Sequence, residues 1–284
     1  GYKNDNRLNV SVNETVYDGG ANIANFKQAR LQLRYQRESL RAKKLDVMFE
    51  TKRLFYGLLL AYETERIARD LVNQAKAHYD DVKSKYNHGT ASRFELLQSK
   101  VQVSKVMPQF ISASNSVNLI MADLKKLLSI KLWEPIAVKG HLRYTPIEIH
   151  EEEFLKRAYA NRPEMILRLL GIDISRWGIE TAKSGYFPQI SANADYGYTA
   201  GSIKNMFNSR HDNWSVGLRV SNSIFDGFST KSKVDEAKAR YEQSNLQKED
   251  VVDQIAVDIR RACLDMKESE TVIMSQKDSI EEAK

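Results

Sequence analysis

Three adjacent carboxylates, Glu151-Glu152-Glu153, are the residues whose type and spacing come nearest to a reaction, because paired acids can divide acid and base roles. They read instead as the acidic first turn of a helix, where negative charge meets the helix dipole. The five histidines, His78, His88, His141, His150 and His211, are scattered, and surface or loop positions suit them better than metal ligation. The single cysteine, Cys263, excludes an internal disulfide and any multi-cysteine metal site. The sequence holds no G-x-S-x-G, no Walker loop and no H-E-x-x-H. No catalytic residue, metal or cofactor is expected.

Other spacings shape the backbone. Tyr17-Asp18-Gly19-Gly20 and Phe225-Asp226-Gly227-Phe228 share an aromatic residue, an aspartate that can accept helix N-terminal amides, and a glycine that permits a sharp turn. Asn87-His88-Gly89-Thr90 suits a left-handed helix end at Gly89. Ser92, followed by Glu95, completes a capping box for the next helix.

The elements that must carry these turns follow from periodicity. Residues 7–17 alternate, with Leu8, Val10, Val12 and Val16 on one face and only Glu14 breaking it. Residues 189–200 and 213–224 alternate in the same way, the first through Ile190, Ala192, Ala194, Tyr196 and Tyr198. In the second, Trp214, Val216, Leu218 and Val220 form the apolar set. A loop over 201–213 joins these two.

Elsewhere the period is helical. With Gly57 its only internal glycine, the stretch 18–86 predicts one helix, ~100 Å long at 1.5 Å per residue. A return helix over 93–129 carries Val106, Phe110, Ala113, Val117, Ile120, Leu124 and Leu127 at alternating steps of four and three, the seam of a coiled coil. Pro108 inside it predicts a kink or a broken hydrogen-bond ladder. Residues 130–160 are mixed, and Asn161 is expected to cap a helix over 162–184.

The two Asp-Gly turns lie at 18 and 226, and this offset of 208 also pairs Ala29 with Ala237, Val47 with Ile255 and Glu50 with Asp258. The chain therefore reads as two repeats, 1–129 and 161–284, around the mixed region 130–160. By that offset the second long helix, 226–284, stops short of its tip, so the chain looks cut at both ends.

Gly and Pro number only 13 and 5 in 284 residues, as long uninterrupted helices require. No apolar run approaches the ~20 residues of a membrane-spanning helix. The formal charge of +6 reads as mild and spread along solvated helix surface, and with no basic face interleaved with aromatics nucleic acid is not an expected partner. Strands of about ten residues, apolar on one face and polar on the other, meet the requirement of a transmembrane β-barrel. Three strands cannot close one, so closure must come from further copies.

At this point the sequence resembles the TolC outer-membrane efflux family. The elements in common are Tyr17-Asp18-Gly19-Gly20, the tip from Gly89 through Glu95 to Leu97, Arg162-Pro163-Glu164, Tyr186-Phe187-Pro188-Gln189-Ile190 and Ile224-Phe225-Asp226-Gly227-Phe228. The resemblance implies a mainly α protein with transmembrane β-strands in the cell outer membrane. It implies a homotrimer whose α-helical coiled-coil barrel runs through the periplasm and joins a shared antiparallel β-barrel, four strands per protomer. It implies an equatorial region at 130–160 and partners in a periplasmic adaptor, an inner-membrane transporter of RND, ABC or MFS type, and outer-membrane lipid. Gly89, Thr90, Ala91, Ser92 and Glu95 then correspond to the periplasmic tip that docks the adaptor. Alternation turns Asn193, Asp195 and Arg219 toward the barrel lumen. The function so implied is a passive exit duct for efflux or type I secretion. The alternatives are a periplasmic adaptor, which should show one hairpin and several small barrel-like domains, and a structural coiled coil, which has no use for the strands.

Overall fold

A computed structural model describes residues 6–200 and 212–282. Most of the expected loop 201–213, with His211, lies outside the described residues, as do the last two positions of the expected helix 226–284. The elements in order are β1 (Asn6–Asp18), α1 (Ala21–Asn87), α2 (Arg93–Leu127), α3 (Glu151–Asn161), α4 (Pro163–Lys183), a 3-10 turn (Ser184–Tyr186), β2 (Gln189–Ala200), β3 (Asp212–Ser221) and α5 (Ser229–Glu282). The protein is mainly helical with one small sheet, and two compact units divide it: 1–42 with 149–284, and 43–148.

In the first unit the sheet has the order β1-β2-β3, antiparallel throughout. Its ladder sets Val10 opposite Tyr196 and Tyr196 opposite Trp214, then Val12 opposite Ala194 and Ala194 opposite Val216. Because side chains alternate, cross-strand partners share a face. One face is thus apolar from Leu8 and Tyr198 at one end to Tyr17, Ile190 and Val220 at the other, with Glu14 opposite Ala192 its one charged member. The opposite face carries Asn9, Ser11, Asn13, Ser191, Asn193, Asp195, Ser215 and Arg219.

The register shifts between Thr15 and Tyr17, so Val16 is the extra residue of a bulge. Tyr17 rather than Val16 therefore pairs with Ile190 on the apolar face. That corrects the strict alternation expected for 7–17, which cannot register an inserted residue. β3 also ends at Ser221, short of the expected 224.

Below the sheet, α4 packs along α5, and the buried Leu170, Val234, Ile255 and Cys263 fill this unit's core with Ala24 of α1. Gln28 Nε2 donates to the Ile174 carbonyl at 3.0 Å, and Arg168 donates to Gln247 at 3.0 Å. Glu151, Glu152 and Glu153 do form an acidic first turn, that of α3, with Glu151 paired to Arg260 at 3.2 Å. Asn161, however, ends α3 rather than capping α4; its Nδ2 donates to the Arg157 carbonyl. Pro163 forces the residue before it out of helical space, so Arg162, at φ −65° and ψ 126°, is the N-cap.

In the second unit the rest of α1 buries Leu58, Leu59, Ala61, Val72 and Val82, and α2 buries Ser99, Val106 and Leu124. Every residue of the expected 106–127 seam is buried or half-buried. α2 continues through Pro108, which has no N–H to give the Ser104 carbonyl, so the ladder loses that bond without the helix ending. Residues 131–148 have no regular element beyond a turn, but the segment is docked: a Cβ on Gly140 would lie 3.0 Å from the Phe55 ring and 3.1 Å from Leu59.

Candidate functional site

Both strand-to-helix turns are built alike. Asp18 Oδ2 accepts the Asn22 amide at 2.7 Å, and Asp226 Oδ2 accepts the Thr230 amide at 2.7 Å, four residues on in each case. In each turn the next two residues have positive φ: Gly19 at 69° and Gly20 at 91°, Gly227 at 63° and Phe228 at 66°. No right-handed helix admits such residues, which is why α1 and α5 start at Ala21 and Ser229 rather than at the aspartates. A hydrogen bond from the Thr230 side chain, and after it the one from the Thr230 amide, hold the Asp226 carboxyl below its ordinary value. Gly19 has a second reason to be glycine. A Cβ there would sit 2.5 Å from the Ser184 carbonyl oxygen, so the turn can lie against the segment between α4 and β2.

The tip between α1 and α2 is short and closed by hydrogen bonds on both sides. The Thr90 amide donates to the Lys85 carbonyl and the Gly89 amide to that of Tyr86, the two bonds of a Schellman end, with Gly89 at φ 76°. Ser92 Oγ accepts from the Glu95 amide at 3.2 Å, while the Glu95 carboxylate accepts from the Ser92 amide. The capping box read from sequence is therefore present. The Ser92 backbone bond is the main reason the Glu95 carboxyl lies below the usual carboxylate range. Ala91 is the half-buried member of this link, and Thr90 caps the end of α1 through its hydroxyl at 3.0 Å from the Lys85 carbonyl.

On the polar sheet face Asp195 gathers its neighbours: Ser215 Oγ donates to it at 3.2 Å and Asn193 Nδ2 at 3.4 Å. Arg219 lies opposite Ser191, four positions along the ladder from the Asp195–Ser215 pair, so the two charges are separate features of one wall. The apolar face is most exposed along β3, where Trp214, Val216 and Leu218 are 73%, 74% and 76% exposed. Its aromatic residues gather at the two ends, Tyr196, Tyr198 and Trp214 toward one and Tyr17 toward the other. About nine residues separate those ends, ~30 Å along a strand and nearer 25 Å when tilted as barrel strands are.

Two features escaped the sequence reading. Arg162 bridges to Asp258 on α5 at 3.3 Å; with Gln254 as the leading influence and Arg162 as the next, the Asp258 carboxyl is held below its ordinary value. The charge, moreover, is not spread. Residues 19–45 hold seven Lys and Arg against one Glu, which equals the +6 of the whole chain, so the remainder balances to zero. Lys27, Arg30, Arg34, Arg37 and Arg41 recur at steps of three and four, one stripe of α1. Helical spacing marks this stripe in the sequence as plainly as it marks the apolar seam of 106–127.

Among the described residues no group of His, Cys, Asp and Glu could hold a metal ion, and no helix is long and apolar enough to cross a membrane. A family model described as outer membrane efflux protein matches residues 2–129 and 154–284. The alkaline protease secretion protein AprF of Pseudomonas aeruginosa is 21% identical over 257 residues, 89% of this chain and 53% of that protein. The solvent efflux pump outer membrane protein SrpC of Pseudomonas putida is 23% identical over 163 residues, covering 55% of this chain and 35% of its own length. Among solved structures, the CmeC outer membrane channel of Campylobacter jejuni superposes with a TM-score of 0.82 at 17% identity, covering 91% of this chain and 55% of that one. The chain thus spans about half or less of the length of these relatives.

Proposed function

Because the chain belongs to the outer membrane efflux protein family, we propose that it supplies part of an exit duct through the outer membrane, serving efflux or type I secretion. The carrying observation is the three-stranded sheet, apolar but for Glu14 and largely exposed on one face and polar on the other, whose edge strands lead through the Asp-Gly turns into long helices. In this reading the apolar face meets lipid and the aromatic ends sit at the two interfaces. Edge strands in lipid require closure, so copies of the chain form a homotrimer around one shared barrel. The polar face then lines the lumen, with Asn193, Asp195 and Arg219 acting on passing ions. The like geometry of the Asp18 and Asp226 turns supports two repeats, each delivering a strand into a periplasmic helix.

The tip is the docking end in the same reading. Gly89 offers bare backbone for close approach by an adaptor, and Thr90, Ala91, Ser92 and Glu95 form the surface around it. An inner-membrane transporter drives the cycle, the adaptor loosens contacts between tips, and the duct opens. The mixed region 130–160 is the equatorial region in this reading. A lone adaptor or structural coiled coil is disfavoured by the family match and by the two-faced sheet.

The test is the mass and conductance of the full-length protein in detergent and in planar bilayers. Trimers that form pores are the expected result; a monomer that stays soluble without detergent would overturn the reading.

A further inference from the structure

The unbalanced cations of α1 do not all lie on bare surface. Lys27, Arg30, Leu31 and Arg34 border an open-sided recess of about 420 Å³, closed on its far side by Trp177 of α4. Lys27 Nζ stands 4.2 Å from the Trp177 ring centroid, close enough for a cation–π contact. Leu31 and Trp177 are half-buried, whereas Arg30 and Arg34 are exposed. The recess therefore has an apolar floor and a cationic rim.

Among the described residues nothing neutralises that rim. Residues 19–37 contain no acid. Among the described residues, no carboxylate lies within ion-pair distance of Lys27, Arg30 or Arg34. The nearest acids on the facing helix, Asp173 and Glu180, flank Trp177 in sequence by four and three residues, and Glu180 is engaged by Lys183 at 2.8 Å. Farther along α1 the pattern reverses, with Arg53, Arg66 and Arg69 each paired to a glutamate on their own helix. Three like charges within two turns of a helix repel one another, and that repulsion is relieved when an oxyanion sits among them.

We propose that Lys27, Arg30 and Arg34, with Leu31 and Trp177 beneath them, form a binding site for a small amphipathic anion. Its sulfonate or carboxylate group lies among the three cations, and its flat apolar body rests on Leu31 and the part of the Trp177 ring that Lys27 leaves uncovered. Guanidinium groups suit the planar, two-point geometry of such a head group. The site goes beyond the proposed conduit and does not depend on it, since binding can be read without any transport.

The test uses full-length protein in a non-ionic detergent. A background with Trp133→Phe, Trp214→Phe and phenylalanine in place of any tryptophan outside residues 1–284 leaves Trp177 as the only indole reporter. The probe is 4-bromobenzenesulfonate, whose bromine quenches indole emission on contact. A saturable fall in Trp177 emission is expected. Arg30→Gln/Arg34→Gln should raise the half-saturation concentration about tenfold, the effect of losing two charged partners at an open site. The uncharged 4-bromobenzyl alcohol should quench without saturating. Lys27→Gln is a second, independent variant and should weaken binding in the same direction. Unchanged half-saturation in the arginine and lysine variants, saturation by the alcohol at the same concentration, or no saturable quenching by the sulfonate would each overturn the proposal.

Discussion

At the scale of single residues, the backbone turns are where chemistry is least replaceable. Gly19 combines φ 69° with a missing Cβ that would meet a backbone oxygen at 2.5 Å, whereas Gly20, at φ 91°, has open space around it. Gly19→Ala should therefore cost roughly 2–4 kcal/mol and Gly20→Ala about 1–2 kcal/mol, read as a difference in thermal unfolding. Asp226 makes a further prediction from its lowered pKa. A carboxyl depressed in the folded state contributes fully above its unfolded value of 3.8, and that contribution is lost as pH falls through the lower folded value. Asp226→Asn should remove the corresponding part of the acid-side slope in unfolding titrations, with little change in slope near neutrality. The aspartates and the Ser92–Glu95 box were legible in the sequence because each acts on amides within four residues of itself, and Gly19 because its turn follows from local backbone geometry. Asn161 misled for the converse reason: it has the right chemistry for a cap, but Pro163 dictates the backbone of the residue between them.

Elements were legible to the extent that their period is regular. The seam from Val106 to Leu127 needed only spacing, and its burial follows. Leu124, 3% exposed within the chain, should lose about 2–4 kcal/mol of protomer stability when changed to Ala. Leu119 lies on the same helix but is 67% exposed. In the trimer reading that face meets a neighbouring copy, so Leu119→Ala should lower trimer yield by cross-linking or native mass measurement while leaving the protomer's helicity unchanged. A loss of helicity equal to that of Leu124→Ala would count against the assembly. What spacing does not reveal is where one element is docked on another. The Arg162–Asp258 bridge links residues 96 apart, and Gly140 lies against Phe55 from a segment without any period of its own.

For the whole molecule, the ordering of strands and helices was readable because a shift between periods of two and 3.6 marks each junction. The sheet's pairing was not readable, since three strands admit more than one order and register. That pairing now separates Asp195 from Arg219 on the polar face. If this face lines a lumen, Asp195→Asn should reduce cation preference and Arg219→Gln should increase it, measured as shifts of reversal potential under a salt gradient. A shift with neither variant would show that the passage runs elsewhere.

The bulge at Val16 has a consequence for how this strand can change over generations. β1 holds one residue more than its partner requires, whereas β2 and β3 pair without a spare. Loss of Val16 would leave every other side chain on its present side, with Tyr17 still opposite Ile190. Loss of Asn193 would turn one end of β2 inside out, setting polar residues toward lipid and apolar ones toward water. Single-residue gaps among relatives of this chain should accordingly collect at the foot of β1 and be scarce in the two strands beside it.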